Sequence, residues 1–408
     1  MALERSGAKM RGPELRQLRS QLASAEDSKI HLVLQLVDRL EVRGDADALI
    51  APLRGRLAKL KLKRKLTFAR LLFTPCNPLI VDSQEWKPNS PAIPRTAIPF
   101  LARQIQTELD DANSNFLPDI TDDDLAPILA LGRTLWPHAA NAIAGSKPPP
   151  QWSTETGLRD QDYTALCTAL QALFMLAAPL IELAANASKG TDPEPEQILA
   201  MLQTIAPAGA HVVAMFMVMG LGWLPRAKLF VKVADEFANA HSNSSISNSA
   251  VEFVLSKVEQ SSAYAGGLTT AVDEMRRAAL LLEDLVESSP NKPGRQKRIE
   301  QVRQSVDSIC RESFVAEVAS QLVEPCADIA KADDEAVESF ENTARTLRKF
   351  ETVAKKFGGT EFYDRQLRGA AHALYPREND DPAVRVSRIR LIEILRGPDA
   401  AAAMQGHF

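Results

Sequence analysis

The sequence is poor in aromatic residues and in cysteine. Aromatic residues make up 6% of the chain, and only four cysteines occur among 408 residues. Cys76, Cys167, Cys310 and Cys326 form no C-x-x-C pair, and their spacing matches no zinc-binding pattern. We therefore expect buried free thiols in a reducing compartment, not disulfides or metal ligands.

The sequence also lacks the short motifs of common catalytic and cofactor sites. It contains no G-x-x-x-x-G-K-[ST] loop, no G-x-S-x-G turn and no H-E-x-x-H helix. No two of the six histidines lie four residues apart, the spacing that a metal site on a helix favours. No cofactor, metal or catalytic residue is therefore predicted. An enzyme whose site is assembled only in space stays an alternative, because such a site leaves no local signature.

The N-terminal sequence lacks the apolar stretch of a secretory signal. It is rich in arginine, as organellar transit peptides are, but Glu4 and Glu14 do not fit that pattern. Together with the unpaired cysteines, this predicts a cytoplasmic protein.

Abundant alanine and apolar residues at helical spacing predict an all-α protein. Hydrophobic residues make up 45% of the chain and charged residues 25%, with a formal net charge of −4. We expect multi-helical bundles with a proline-rich irregular strap near residues 74–99. The apolar spacing beyond residue 294 predicts a C-terminal helical hairpin, with helices at about 295–323 and 327–356.

Two proline-containing segments, residues 146–157 and 288–294, are predicted linkers, since neighbouring prolines do not fit a helix. The predicted regions are therefore a basic N-terminal region with the strap, an apolar central bundle, a C-terminal hairpin with two short helices, and a flexible tail. Their bounds are 1–145, 158–287, 295–397 and 398–408.

Residues 54–73 form the least usual local pattern, because a basic run leads into an apolar block. Arg54–Arg70 is predicted to be a helix with one packed face and one cationic face. A basic amphipathic helix of this kind can lie on an anionic membrane surface or in a partner's groove, or track phosphates. In the alternative interpretation, its apolar face packs into its own bundle and the lysines are solvated. The candidate partner-binding residues here are Lys59, Lys61, Lys63, Arg64, Lys65 and Phe68.

The strap that follows carries Pro88, Pro91 and Pro94 at a spacing of three. In a polyproline II helix these prolines would share one edge, which, beside Trp86, is a candidate ligand for an aromatic groove. In the alternative interpretation, the strap lies across its own domain with Trp86 as the anchor.

Ala206–Leu224 is 19 residues long with His211 as its only ionisable side chain. That length suits either a fully buried central helix or a membrane-inserted segment, and we favour the buried helix. The first functional hypothesis is a non-enzymatic intracellular scaffold or adaptor that binds a protein through its basic N-terminal region. The second is a membrane-associated protein that uses residues 54–73 or 206–224. Nucleic acid ranks below both, because the chain as a whole is acidic and the basic run ends at Arg70.

Overall fold

The computed structural model describes residues 66–109, 125–241, 243–261, 264, 268–377 and 379–405, together with Lys29 and Val33. Within this part of the chain there are 15 α-helices and two very short strands, so the protein is all-α, as predicted. It divides into two compact units. The first takes the described residues of Met1–Ser256 with Glu287–Ser289, and the second those of Lys257–Val286 with Pro290–Phe408.

The first described helix, α1 (Phe68–Phe73), begins directly after a capping threonine. The Thr67 side chain accepts a hydrogen bond from the backbone N–H of Arg70 at 3.3 Å, and the Thr67 backbone is extended. The prediction of one continuous helix over Arg54–Arg70 was therefore wrong at Thr67, where this cap starts a new helix. Residues 54–65 lie outside the described part of the chain.

The strap contains two short 3₁₀ helices and one parallel strand pair. Thr74–Leu79 is a 3₁₀ helix, and β1 (Ile80–Val81) then pairs with β2 (Ile93–Pro94). Ile80 lies opposite Ile93 and Val81 opposite Pro94. A second 3₁₀ helix, Arg95–Ala97, leads into α2 (Ile98–Glu108). The predicted irregular strap is confirmed.

Helices α3 to α9 follow. Their bounds are α3 (Leu125–Ile143), α4 (Trp152–Thr156), α5 (Asp160–Ser188), α6 (Pro195–Ile205), α7 (Ala210–Trp223), α8 (Lys228–Ala240) and α9 (Ser244–Glu259). Helix α3 packs against α5, and α7 packs against both α5 and the first 3₁₀ helix of the strap. Asp162 fixes the start of α5, because its carboxylate accepts from the backbone N–H of Arg159 at 3.0 Å and from the Arg159 guanidinium.

Helix α7 is the centre of the first unit. Every residue from Val212 to Leu221 is buried, which agrees with the favoured prediction of a central core helix. Its 14 residues span about 21 Å at roughly 1.5 Å per residue, less than the roughly 30 Å of a membrane core. Among the described residues, α5 alone is long and apolar enough to cross a membrane, and 61% of its most apolar window is buried.

The second unit contains the C-terminal helices. Their bounds are α10 (Leu268–Ser288), α11 (Pro293–Val318), α12 (Asp334–Ala354), α13 (Thr360–Ala373), α14 (Pro382–Arg396) and α15 (Pro398–Gln405). A π-helical turn, Ala319–Val323, and a 3₁₀ helix, Pro325–Lys331, join α11 to α12. The predicted hairpin is thus α11 and α12, in which the rings of Phe314 and Phe350 lie 5.2 Å apart.

Two of the predicted boundaries differ from the structure. Residues 146–157 lie inside the first unit, where Trp152 is fully buried between the rings of Phe100 and Tyr163. Residues 398–405 of the predicted flexible tail form helix α15, in which Ala401 is buried. In both cases buried side chains order a segment that local composition marks as irregular. The chain passes to the second unit after Ser289, within the predicted linker 288–294, but residues 257–286 of the predicted central bundle already belong to the second unit.

All four cysteines are buried and free, as predicted. Burial raises the pKa of Cys310 to about 12 and that of Cys326 to about 11. A buried thiol with a raised pKa keeps its proton near neutral pH and is a poor nucleophile. The cysteines therefore act as small apolar core residues.

Candidate functional site

The predicted partner-binding residues have different surroundings. Lys59, Lys61, Lys63, Arg64 and Lys65 lie outside the described residues. Phe68 and Trp86 are half-buried, and Pro88 is exposed. Pro91 and Pro94 are buried, so the three prolines do not share an exposed edge. A turn between Lys87 and Ser90, closed by a 3.0 Å backbone hydrogen bond, interrupts the predicted polyproline helix. A partner can reach Pro88 alone of the three.

Two tryptophans hold α1 and the first part of the strap in the core. The indole N–H of Trp136 donates to the backbone carbonyl of Leu71 at 3.2 Å, and that of Trp223 donates to Pro75 at 2.8 Å. Side chains around these carbonyls are buried, and they include Leu72, Phe73, Cys76 and Leu79. This part of the strap is therefore architectural. Sequence reasoning missed both anchors, because no local pattern links a tryptophan to a carbonyl this distant in the chain.

Trp86 plays a different part, since it shapes an exposed loop. The indole N–H of Trp86 donates to the carbonyl of Ala92 at 3.2 Å, across the base of residues 82–90, here called the Trp86 loop. The Ser83 hydroxyl donates to that of Thr96 at 2.9 Å on the same base. Asp82 and Arg95 form a 3.3 Å ion pair, but both are about 40% exposed, so it adds little stability. The hydrogen bonds and the strand pair give the loop a defined shape.

The tip of the Trp86 loop is exposed and has one unusual backbone conformation. Asn89 has a φ of +62°, a conformation that asparagine tolerates better than most residues. Ser83, Gln84, Glu85, Lys87, Pro88 and Asn89 are all exposed around the half-buried Trp86 ring. The loop thus offers an aromatic surface, a cation and a proline on a fixed turn.

His211 lies at the start of α7, near the backbone of Asn89. Burial lowers the pKa of His211 below its usual value, and the backbone of Asn89 opposes that shift. The neutral imidazole is therefore the form that the folded protein favours near neutral pH. The start of α7 thus lies beside the tip of the Trp86 loop.

Two other features of the first unit contain acidic side chains of the kind used in catalytic or metal sites. A surface cavity of about 340 Å³ between α5 and α6 is lined partly by Glu182, Asp192 and Glu194. Arg133 pairs with Glu182 at 2.6 Å, and no cluster of His, Cys, Asp or Glu suited to a metal occurs among the described residues. In the core, the hydroxyls of Ser247 and Ser289 both donate to the Asp235 carboxylate. All three side chains are buried, so this network joins helices and does not meet a substrate.

No family model, curated protein or solved structure matches the chain. The functional inference therefore comes from the geometry of the chain itself. Among the predicted site residues that the structure describes, the Trp86 loop brings together Trp86 and Pro88 as the accessible pair. Pro91 and Pro94 follow the Trp86 loop in the chain and are buried.

Proposed function

We propose that the protein is a non-enzymatic cytoplasmic scaffold or adaptor that binds another protein through the Trp86 loop and the basic residues preceding α1. The observation that supports this most directly is the exposed loop whose aromatic side chain is fixed by a hydrogen bond to Ala92. An anchored tryptophan loses little conformational entropy when a partner covers it. Tryptophan is also among the residues that contribute most to binding at protein interfaces.

The basic run in the sequence indicates the sign of the partner's surface. The sequence places Lys59, Lys61, Lys63, Arg64 and Lys65 shortly before α1, whereas next to Trp86 the exposed Lys87 is balanced by the exposed Glu85. A run of cations favours an acidic partner surface, because complementary charge speeds association and fixes orientation. Such binding would weaken with added salt.

Site-specific crosslinking tests this proposal. A photo-reactive residue replaces Lys87 in the full chain, and a matched variant carries it at the exposed Lys297 of α11. We expect a protein crosslinked from Lys87 and not from Lys297. Charge reversal of Lys59, Lys61, Lys63, Arg64 and Lys65 should reduce its yield. The same products from both positions, or none from Lys87, would overturn the proposal.

The affinity for the crosslinked partner then tests the anchor itself. Trp86→Ala should weaken binding about 30-fold, the loss typical of a central aromatic anchor. Trp86→Phe keeps a ring but removes the N–H that fixes it to Ala92, so an intermediate loss is expected. Equal affinity of Trp86→Ala and the parent protein would exclude the loop as the docking site.

Association with a membrane is the second candidate function, and the observation that favours it is the composition of α5. Its sequence from Tyr163 to Ile181 carries no Asp, Glu, Lys or Arg, and Met175 on this helix is 52% exposed. Flotation of the full chain with anionic liposomes at low salt distinguishes the two functions. Recovery of the protein with the liposomes supports the membrane function, and recovery entirely apart from them removes it.

A further inference from the structure

The second unit contains an open polar groove of about 470 Å³. One wall is helix α12, which contributes Glu335, Glu338, Ser339, Asn342, Thr343 and Thr346. The other wall consists of the start of α10, with Thr269, and the π-helical turn, with Gln321. The groove is thus lined mainly by hydroxyl and amide groups.

The groove follows one face of α12. Glu335, Ser339, Asn342 and Thr346 repeat at intervals of three and four residues, so they lie along the same side of the helix. The opposite face carries the buried Ala344, Leu347 and Phe350. From Glu335 to Thr346 the stripe runs about 16 Å at roughly 1.5 Å per residue, the length of roughly five residues of extended chain.

The π-helical turn that forms the other wall follows from Pro325. Proline has no N–H, so it cannot donate to the carbonyl of Gln321 as a residue in a regular helix would. The helix instead widens before Pro325, and the N–H of Glu324 donates to the carbonyl of Ala319 at 2.9 Å. Widened turns of this type are frequent at functional sites in helical proteins, and this one places Gln321 in the groove lining.

The lining chemistry defines which ligand fits. The amides of Gln321 and Asn342 carry both donors and acceptors, as a peptide group does. The hydroxyl of Thr346 donates to the backbone carbonyl of Asn342 at 2.8 Å, so it offers a ligand an acceptor. Arg345 donates to Oδ1 of Asn342 at 2.9 Å, which fixes the rotation of that amide. Glu335 and Glu338, near the N-terminal end of α12, repel phosphates and attract Lys or Arg. Within the described part of the chain, the groove lining includes no aromatic ring that could stack on a sugar.

We propose that this groove binds an extended segment of a partner polypeptide, with a Lys or Arg of that segment beside Glu335 and Glu338. The segment forms hydrogen bonds with Asn342, Gln321 and the hydroxyls between them. This surface is separate from the Trp86 loop and needs neither that loop nor the basic residues before α1. It would give the protein a second binding surface, which an adaptor requires.

A random 12-residue peptide library displayed on phage, selected on the full chain, tests this proposal. Counter-selection on the Asn342→Ala, Thr346→Ala double variant removes peptides that bind elsewhere. These side chains lie at the surface, and unchanged circular dichroism would show that the variant folds. We expect the surviving peptides to be enriched in Lys or Arg near one end. Failure to enrich any peptide, or enrichment without a basic residue, would overturn the proposal.

Calorimetric titration of the best peptide then measures single contacts. Asn342→Ala should weaken binding roughly threefold to tenfold, the loss expected for one hydrogen bond. Glu338→Gln should weaken it roughly twofold to fivefold at low salt and less at high salt. Thr352→Ala on α12 and Glu361→Gln on α13 are matched controls, because both are exposed and outside the groove. Equal losses in controls and groove variants, or displacement of the peptide by an uncharged oligosaccharide, would contradict a peptide groove.

Discussion

The indole N–H of Trp223 donates to the backbone carbonyl of Pro75 at 2.8 Å, although the two residues are 148 positions apart in the chain. This bond ties the end of α7 to the strap, and the adjacent Gly222 lets Pro78 approach closely. A Cβ atom at Gly222 would lie 2.5 Å from side-chain carbons of Pro78. The strap and the central helix α7 therefore stabilise each other.

Replacing Trp223 by phenylalanine tests this coupling. Trp223→Phe keeps an aromatic ring but leaves the buried carbonyl of Pro75 without its indole donor. We expect the free energy of opening the strap to fall by about 1–3 kcal/mol, the usual cost of an unsatisfied buried polar group. Hydrogen exchange of residues 74–81 measures this opening. Trp86→Phe is the control, and it should speed exchange in the Trp86 loop while leaving residues 74–81 unchanged.

Gly220 in α7 allows a close helix contact. A Cβ atom there would lie 2.2 Å from the Phe230 ring, which is fully buried on α8. Gly220→Ala should therefore destabilise the protein by about 1–3 kcal/mol through overpacking. Gly369→Ala, in α13, is the matched control, because nothing lies within 4 Å of its Cβ position. It should stabilise the protein by about 0.5–1 kcal/mol, since alanine favours a helix. Thermal denaturation measures both, and equal effects would contradict the close contact.

His211 should make stability depend on pH near neutrality. Its pKa is lowered in the folded protein, mainly by burial, while the unfolded chain keeps a pKa near 6.5. The unfolded state therefore binds the proton more readily. The stabilisation of the folded state by neutral His211 is complete above about pH 6.5, and it is lost as the pH falls towards the pKa of His211 in the folded protein. We expect His211→Gln to reduce the fall in melting temperature between about pH 7 and pH 5. Parallel pH profiles for the parent and the variant would contradict this expectation.

Arg388 and Asp380 form a buried ion pair in the second unit. Nε of Arg388 lies 2.9 Å from Oδ2 of Asp380, with side chains 2% and 10% exposed. The N–H at Nε of Arg388 does not meet the carboxylate in a hydrogen-bonding geometry. The two side chains therefore interact chiefly through their opposite charges. Asp380→Asn leaves a buried cation and should cost about 3–5 kcal/mol, whereas adding Arg388→Met should restore most of the loss. Chemical denaturation, monitored by circular dichroism, measures the free energy of unfolding of each variant. If the effects of the two substitutions simply add, the ion pair is contradicted.

Features with local causes were predictable from the sequence. Helix α5 (Asp160–Ser188) has such causes, because its apolar spacing and its start are both encoded nearby. Helix α14 starts after the cap Asp381, whose side chain accepts from the N–H of Val384, and Gly397 ends it. The buried helix at Ala210–Trp223 followed from composition, since a stretch that is apolar on all sides needs burial.

Features that depend on distant contacts were not predictable. The burial of Pro91 and Pro94, and the indole bonds of Trp136 and Trp223, connect segments far apart in the chain. The polar groove was also missed, although its signal was present. Short uncharged side chains at Ser339, Asn342, Thr343 and Thr346 repeat at helical spacing, where an ordinary solvated face carries longer charged residues.

All four tryptophans of the chain, Trp86, Trp136, Trp152 and Trp223, belong to the first compact unit. Each indole N–H donates to a backbone carbonyl, so all four rings are held in defined surroundings. Intrinsic tryptophan fluorescence therefore reports on that unit alone, whereas far-ultraviolet circular dichroism reports on the helices of both. Comparing the two signals during denaturation would show, without any label, whether the units unfold together or in separate steps.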